Sequence, residues 1–78
     1  MKIYSLEELK QKFPGDWILS TINKYYYIYA KDGNSIYIDY FIDTGVWRLE
    51  QRGDIDVDVS EKEVKEFYKK HFKMKNFQ

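Results

Sequence analysis

The chain has no cysteine, one histidine and one proline among its 78 residues. Without cysteine no disulfide can brace the fold, and thiol chemistry and cysteine-based zinc sites are excluded. The single histidine, His71, excludes a multi-histidine metal site within one chain. No glycine-rich phosphate loop is present either. We therefore predict no catalytic site, no cofactor and no bound metal, and we expect a protein that is not an enzyme.

Long hydrophobic runs and net charge are missing as well. No apolar run approaches the roughly 18 residues of a membrane span, and no signal-peptide core follows Met1, so we expect a cytoplasmic protein. Thirteen basic and thirteen acidic residues cancel. The chain therefore lacks the basic excess that is typical of proteins that bind nucleic acid by neutralising phosphates.

The charges are nevertheless segregated along the chain. Residues 16–58 contain eight acidic and four basic residues, whereas residues 59–78 contain three acidic and six basic residues. This predicts an acidic sheet and a basic C-terminal helix. Lysine outnumbers arginine eleven to two, a usage typical of AT-rich genomes, and in type the chain resembles the small accessory and inhibitor proteins of low-GC bacteria and their phages.

Aromatic residues are what the chain has in abundance, at 19 % of the sequence. Domains below about 80 residues usually need disulfides, a metal, oligomerisation or heavy aromatic packing. Because each buried ring removes about 150–250 Å² from water, aromatic packing is the expected stabiliser here. Residues 1–78 are predicted to form a single small α+β domain.

Two capping boxes predict where the helices begin. Ser5 with Glu8 and Ser60 with Glu63 have the spacing at which each side chain bonds a free backbone N–H of the first turn. The first helix is expected to be short and to end before Pro14-Gly15, and the second to run through about Met74. Its predicted apolar stripe is Val64, Phe67, Tyr68, His71 and Phe72.

Between the helices the pattern changes to alternation and β-rich runs. Strands are predicted near 16–22, 25–31, 35–42 and 46–52, with a possible fifth strand at 55–59. Short turns between them indicate an antiparallel four- to five-stranded meander, with a short N-terminal helix and a longer C-terminal helix packed on one face, in the order α-β-β-β-β-(β)-α. Asp54, Asp56 and Asp58 have the alternate spacing of a calcium loop, but Val59 and Lys65 stand where that loop needs glycine and glutamate. The three acids are therefore interpreted as edge-strand charges that oppose aggregation.

Six of the eight tyrosines lie between Tyr25 and Tyr40, and loop parity decides which face they occupy. A three-residue loop at 32–34 places Tyr26, Ile28 and Ala30 in the core with Ile36, Ile38, Tyr40 and Ile42. A two-residue loop instead buries the odd-numbered tyrosines. We favour the three-residue loop, because it puts small and aliphatic residues under the helices.

The next connection, at residues 43–46, is expected to align Ile42 with Trp47 and Tyr40 with Leu49. Arg48, Glu50 and Arg52 then lie beside Asp39 on the face away from the helices. Tyrosine and arginine are enriched at the centres of protein interfaces. The predicted partner-binding residues are Tyr25, Tyr27, Tyr29, Tyr37, Phe41, Arg48 and Arg52.

The leading hypothesis from the sequence is a protein-binding module that uses this face, either for self-association as a homodimer or for a host protein partner. One alternative is single-stranded nucleic-acid binding, with the tyrosines stacking bases and the lysines of the last helix, including Lys73 and Lys75, contacting phosphates. The acidic sheet opposes that alternative. Another is a structural domain with no partner on this face, since tyrosine packs well on any pleated sheet.

Overall fold

The computed structural model of the protein describes residues 2–31 and 35–72. Its elements are, in chain order, α1 (Leu6–Lys12), β1 (Ile18–Leu19), β2 (Tyr25–Tyr29), β3 (Ile36–Phe41), β4 (Trp47–Gln51), β5 (Asp54–Val59) and α2 (Glu61–His71). The five strands form one sheet in sequence order, and every neighbouring pair is antiparallel. The predicted α+β meander is confirmed, and the fifth strand is part of it.

Both helices begin at the predicted capping boxes. The Ser5 hydroxyl accepts from the Glu8 N–H at 3.2 Å while the Glu8 carboxylate accepts from the Ser5 N–H at 2.9 Å. Ser60 and Glu63 repeat this exchange at 3.2 and 3.0 Å. The second helix ends at His71 with Phe72 as its C-cap, and the predicted end near Met74 lies outside the described residues.

The hydrophobic core lies between the two helices and one face of the sheet. From the helical layer come Leu9, the α1 cap Phe13 and, from α2, Val64, each at most 2 % exposed. The sheet contributes the buried side chains of Ile28, Ile38, Tyr40, Trp47 and Leu49. Because α1 and α2 pack on this same face, the opposite face of the sheet carries neither helix, and we call it the outer face.

The even-numbered residues of the second and third strands point to the core, as expected for the three-residue loop. Tyr26 pairs with Tyr40 and Ile28 pairs with Ile38, and the Ala30 N–H donates to the Ile36 carbonyl at 3.0 Å. The loop residues 32–34 lie outside the described part of the chain, but the pairing on either side fixes the register. The prediction that Tyr26, Ile28 and Ala30 face the helices is confirmed.

The predicted alignment of β3 with β4 is wrong by two residues. Tyr40 pairs with Trp47 rather than with Leu49, and Ile42 lies partly buried in the turn rather than opposite Trp47. The turn closes earlier because the Gly45 N–H donates to the Phe41 carbonyl at 2.8 Å, with Gly45 at a φ of 73°. A shift of two residues keeps every side chain on its face. Arg48 and Glu50 therefore lie beside Asp39 as predicted, whereas Arg52 lies in the turn that follows β4.

A β-bulge interrupts the pairing of β4 with β5. Trp47 pairs with Val59, but the next residue, Arg48, pairs with Val57, which leaves Asp58 as the extra residue at a φ of 57°. A bulge reverses the alternation on either side of it. Val59 therefore packs on the core, whereas Val57 lies on the outer face.

Neither helix of the described chain is long and apolar enough to cross a membrane.

Candidate functional site on the outer face of the sheet

The outer face gathers side chains from the three central strands. They are Tyr25, Tyr27 and Tyr29 from β2, Tyr37, Asp39 and Phe41 from β3, and Arg48 and Glu50 from β4. Six of the seven residues predicted to bind a partner are in this set. The seventh, Arg52, is exposed in the turn between β4 and β5 at a φ of 50° and does not belong to this set.

Five aromatic rings on this face form one continuous row, which we call the aromatic row. Phe41 lies 4.9 Å from Tyr25, and Tyr25 lies 6.2 Å from Tyr27, measured between ring centroids. Tyr37 continues the row at 6.1 Å from Tyr27 and 6.0 Å from Tyr29. These separations are those of interacting aromatic pairs. The sheet therefore presents a connected aromatic surface and not isolated tyrosines.

Arg48 lies at one end of the aromatic row and joins it to the acidic residues. Its guanidinium carbon is 5.0 Å from the ring centroids of both Tyr25 and Phe41, within the range of cation–π attraction. Its Nε donates to the Asp39 carboxylate at 2.7 Å, and its Nη2 donates to Glu50 at 3.3 Å. The Arg48 guanidinium is thus shared by the carboxylates of Asp39 and Glu50. When both acids are ionised, the three groups together carry one net negative charge.

Asp39 is the buried centre of the outer face, with only 1 % of its surface exposed. One carboxylate oxygen is held by Arg48, but the other, Oδ1, accepts no hydrogen bond from the described residues. Removing a carboxylate from water without full pairing is costly, so the proton is held more tightly. Burial raises the pKa of Asp39 to about 7, the neighbouring carboxyl of Glu50 adds to the rise, and Arg48 opposes it.

A groove of about 470 Å³ opens on this face. Its walls are the four tyrosines of the aromatic row, its acidic residues are Asp39 and Glu50, and residues 20–22 of the first hairpin close one side. The turn is braced by Ser20, whose hydroxyl accepts from the N–H groups of Lys24 and Tyr25 at 3.2 Å. The groove is therefore concave, aromatic and acidic.

Aliphatic side chains flank the outer face at both edges of the sheet. Ile18 of β1 pairs with Tyr27, and Ile55 and Val57 of β5 pair with Glu50 and Arg48. Ile55 is 54 % exposed and Val57 is 64 % exposed. Exposed apolar residues beside an aromatic patch enlarge the surface available to a partner.

The sequence did not identify these flanking residues, and it did not reveal that Asp39 is buried. The bulge at Asp58 decides the face of Val57, and no local pattern marks it. For Asp39 the sequence does contain a signal. An acid between Ile38 and Tyr40 lies in the middle of a strand rather than in a turn, and this position indicates a cross-strand partner.

Metal binding has no support among the described residues, where no three histidine, cysteine or carboxylate side chains are grouped closely enough to hold an ion. The acidic residues at positions 54, 56 and 58 are exposed along the edge strand β5. That position agrees with their interpretation as charges that oppose strand addition.

Comparison with known proteins adds no relative, since no protein family, curated protein sequence or solved structure matches the chain.

Proposed function

We propose that the protein is a non-enzymatic protein-binding module and that its outer face contacts the partner. The observation that carries this proposal is the aromatic row, five rings in mutual contact on the sheet face that neither helix covers. Such a module suits the small accessory or inhibitor proteins to which the composition points.

The chemistry of the outer face favours an interface. Tyrosine buries a large area at a small cost in side-chain entropy, and both tyrosine and arginine are enriched at the energetic centres of interfaces. Four of the five rings remain half-buried and Tyr29 is 43 % exposed, so a partner would remove further aromatic surface from water. The strands hold these rings in fixed positions, which lowers the entropic cost of binding.

A catalytic role for the shifted acid is not favoured by its position. General acid–base catalysis requires the carboxyl to come within hydrogen-bond distance of a substrate atom. Asp39 is only 1 % exposed, and one of its carboxylate oxygens is already held by Arg48. We therefore assign it to the electrostatics of the surface.

Nucleic-acid binding receives less support than protein binding. The tyrosines that would stack on bases lie on the outer face, whereas the lysines of α2 lie on the helical side of the sheet. One single strand would have to contact both sides. The acids beside the rings would also repel its phosphates.

The proposal is tested by capture of binding partners from the cells that make the protein. Two variants are compared with the wild type, each with a lysine substituted at a position of similar exposure. Tyr29 on the outer face is 43 % exposed, and Leu19, which pairs with Tyr26 and so faces the other side, is 44 % exposed. Tyr29→Lys should abolish recovery of the specific partner, whereas Leu19→Lys should leave it unchanged. Circular dichroism confirms that both variants are folded.

If both variants recovered the partner as well as the wild type does, the outer face would not be the contact surface. If only Leu19→Lys lost the partner, the contact surface would lie on the helical side of the sheet. A gel shift with single-stranded RNA at about 50 mM salt, where phosphate contacts are strong, tests the nucleic-acid alternative.

A further inference from the structure

We infer that the partner inserts a lysine or arginine side chain into the outer-face groove, where the cation meets the tyrosine rings and the Glu50 carboxylate above Asp39. This inference rests on the proposed function and names the chemistry of the partner: an exposed basic segment of another protein.

When Asp39 is ionised, the groove carries one more negative than positive charge, and a bound cation would balance it. Asp39 and Glu50 share the single guanidinium of Arg48. Glu50 is only partly buried, so an incoming cation can reach it directly. Asp39 Oδ1 is buried, accepts no hydrogen bond from the described residues, and belongs to the lining of the groove. A buried carboxylate oxygen without a donor attracts a positive charge from the nearest open space.

The aromatic walls suit the same ligand. The faces of tyrosine rings attract ammonium and guanidinium groups within about 6 Å of the centroid. Arg48 already uses Tyr25 and Phe41 in this way, each at 5.0 Å. Tyr27, Tyr29 and Tyr37 line the groove without a cation among the described residues. They are therefore available to a second cation, supplied by the partner.

Charge complementarity also argues against a symmetric dimer through this face. A two-fold axis across the groove would set the acidic pair of one copy against the acidic pair of the other. Like charges facing each other in an interface are unfavourable. A partner that brings a basic side chain removes the imbalance that a second copy would double.

Binding of a cation should favour the ionised form of Asp39. The titratable and charged groups around this carboxyl are Glu50 and Arg48 from β4, Tyr25 and Tyr27 from β2, and Tyr37 from β3. An added positive charge lowers the pKa of a carboxyl, so binding near pH 6 should release a proton. Affinity should therefore rise with pH, and Asp39→Asn should remove most of that rise.

The test uses three blocked pentapeptides on the full chain, in which a central lysine, arginine or norleucine is flanked by glycines. Norleucine keeps the aliphatic stem of lysine and removes the charge. Amide NMR titration should show that the lysine or arginine peptide perturbs Tyr27, Tyr37 and Glu50 and binds at least about tenfold more tightly than the norleucine peptide. Glu50→Gln should remove most of this preference. The control Glu66→Gln, an exposed acid on α2, should retain it.

Equal binding of the norleucine and lysine peptides would overturn the inference and leave the proposed binding surface standing. The same conclusion would follow if none of the three peptides bound while Tyr29→Lys still blocked partner capture. Failure of both tests would remove the proposed function as well. Sedimentation between about 0.05 and 1 mM completes the set. Self-association that Tyr27→Lys abolishes would make a second copy the occupant and would contradict the inference.

Discussion

The buried carboxyl of Asp39 should make the protein less stable as the pH rises from about 5 to 8. Its pKa is raised by burial to about 7, from an ordinary value of 3.8. A group that binds its proton more tightly in the folded state stabilises the fold at low pH, and that stability is lost as the pH rises through the folded pKa. The direction is opposite to that of an ion-paired surface carboxylate.

The size of the effect follows from proton linkage. With pKa values of 3.8 unfolded and about 7 folded, the free energy of unfolding falls by about 2–3 kcal/mol between pH 5 and pH 8. With a urea slope of about 1–1.5 kcal/mol per molar for so small a domain, the unfolding midpoint falls by about 2 M. Below about pH 4 the trend is complicated by Glu8, whose pKa is lowered by the hydrogen bond from Lys2.

Urea unfolding followed by the fluorescence of the buried Trp17 and Trp47 measures this directly. Asp39→Asn keeps the shape of the side chain and cannot ionise, so its stability should vary little between pH 5 and 8. The matched variant Asp54→Asn, at an exposed position, should keep the wild-type slope. Any contribution from His71 is common to all three proteins and cancels in the comparison. A wild type whose stability is flat or rises with pH, or an Asp39→Asn variant that keeps the slope, would refute the reasoning.

Three further predictions concern the fold and can be measured by the same unfolding assay at a fixed pH. Ser60→Ala removes the hydroxyl that caps α2 and should cost about 1 kcal/mol, whereas Lys62→Ala in the same turn should change stability by less than about 0.5 kcal/mol. Ile38→Ala empties a fully buried site in the central strand and should cost about 2–5 kcal/mol; a cost below about 1 kcal/mol would place Ile38 outside the core. Tyr40→Phe deletes the hydroxyl that accepts from the Tyr4 N–H at 2.9 Å and should cost about 1–2 kcal/mol, and unchanged stability would contradict a stabilising role for this bond.

The sequence predicts most of the fold because its local signals agree with one another. Ser5 and Ser60 begin helices through contacts that span only three residues, so the spacing of the capping boxes is sufficient to locate them. The face of the tyrosines depends only on whether a loop has an odd or even number of residues. The small side chain of Ala30 fits under the helices, and this favours the three-residue loop over the two-residue loop.

The features that the sequence could not supply depend on exact backbone geometry. The pairing of Tyr40 with Trp47 follows from a turn closed at Gly45, one residue earlier than expected, and both turns satisfy the same sequence pattern. The bulge at Asp58 sends Val57 to the outer face although the residues around it alternate strictly.

The candidate site also has features that the sequence predicts and features that it does not. Strand parity was sufficient to place the aromatic residues and Arg48 on one face. The burial of Asp39 depends on how its cross-strand neighbours, including Arg48, pack around it, and this packing cannot be predicted from alternation alone. The electrostatic character of the groove therefore emerges only from the three-dimensional arrangement.

The most direct test of the outer face as the contact surface is oxidative footprinting of the protein alone and in complex with its captured partner. Binding through the aromatic row predicts that Tyr27, Tyr29 and Tyr37 lose most of their reactivity in the complex, while Phe67 of α2 keeps its own. Protection of Phe67 with unchanged reactivity of the three tyrosines would contradict the account.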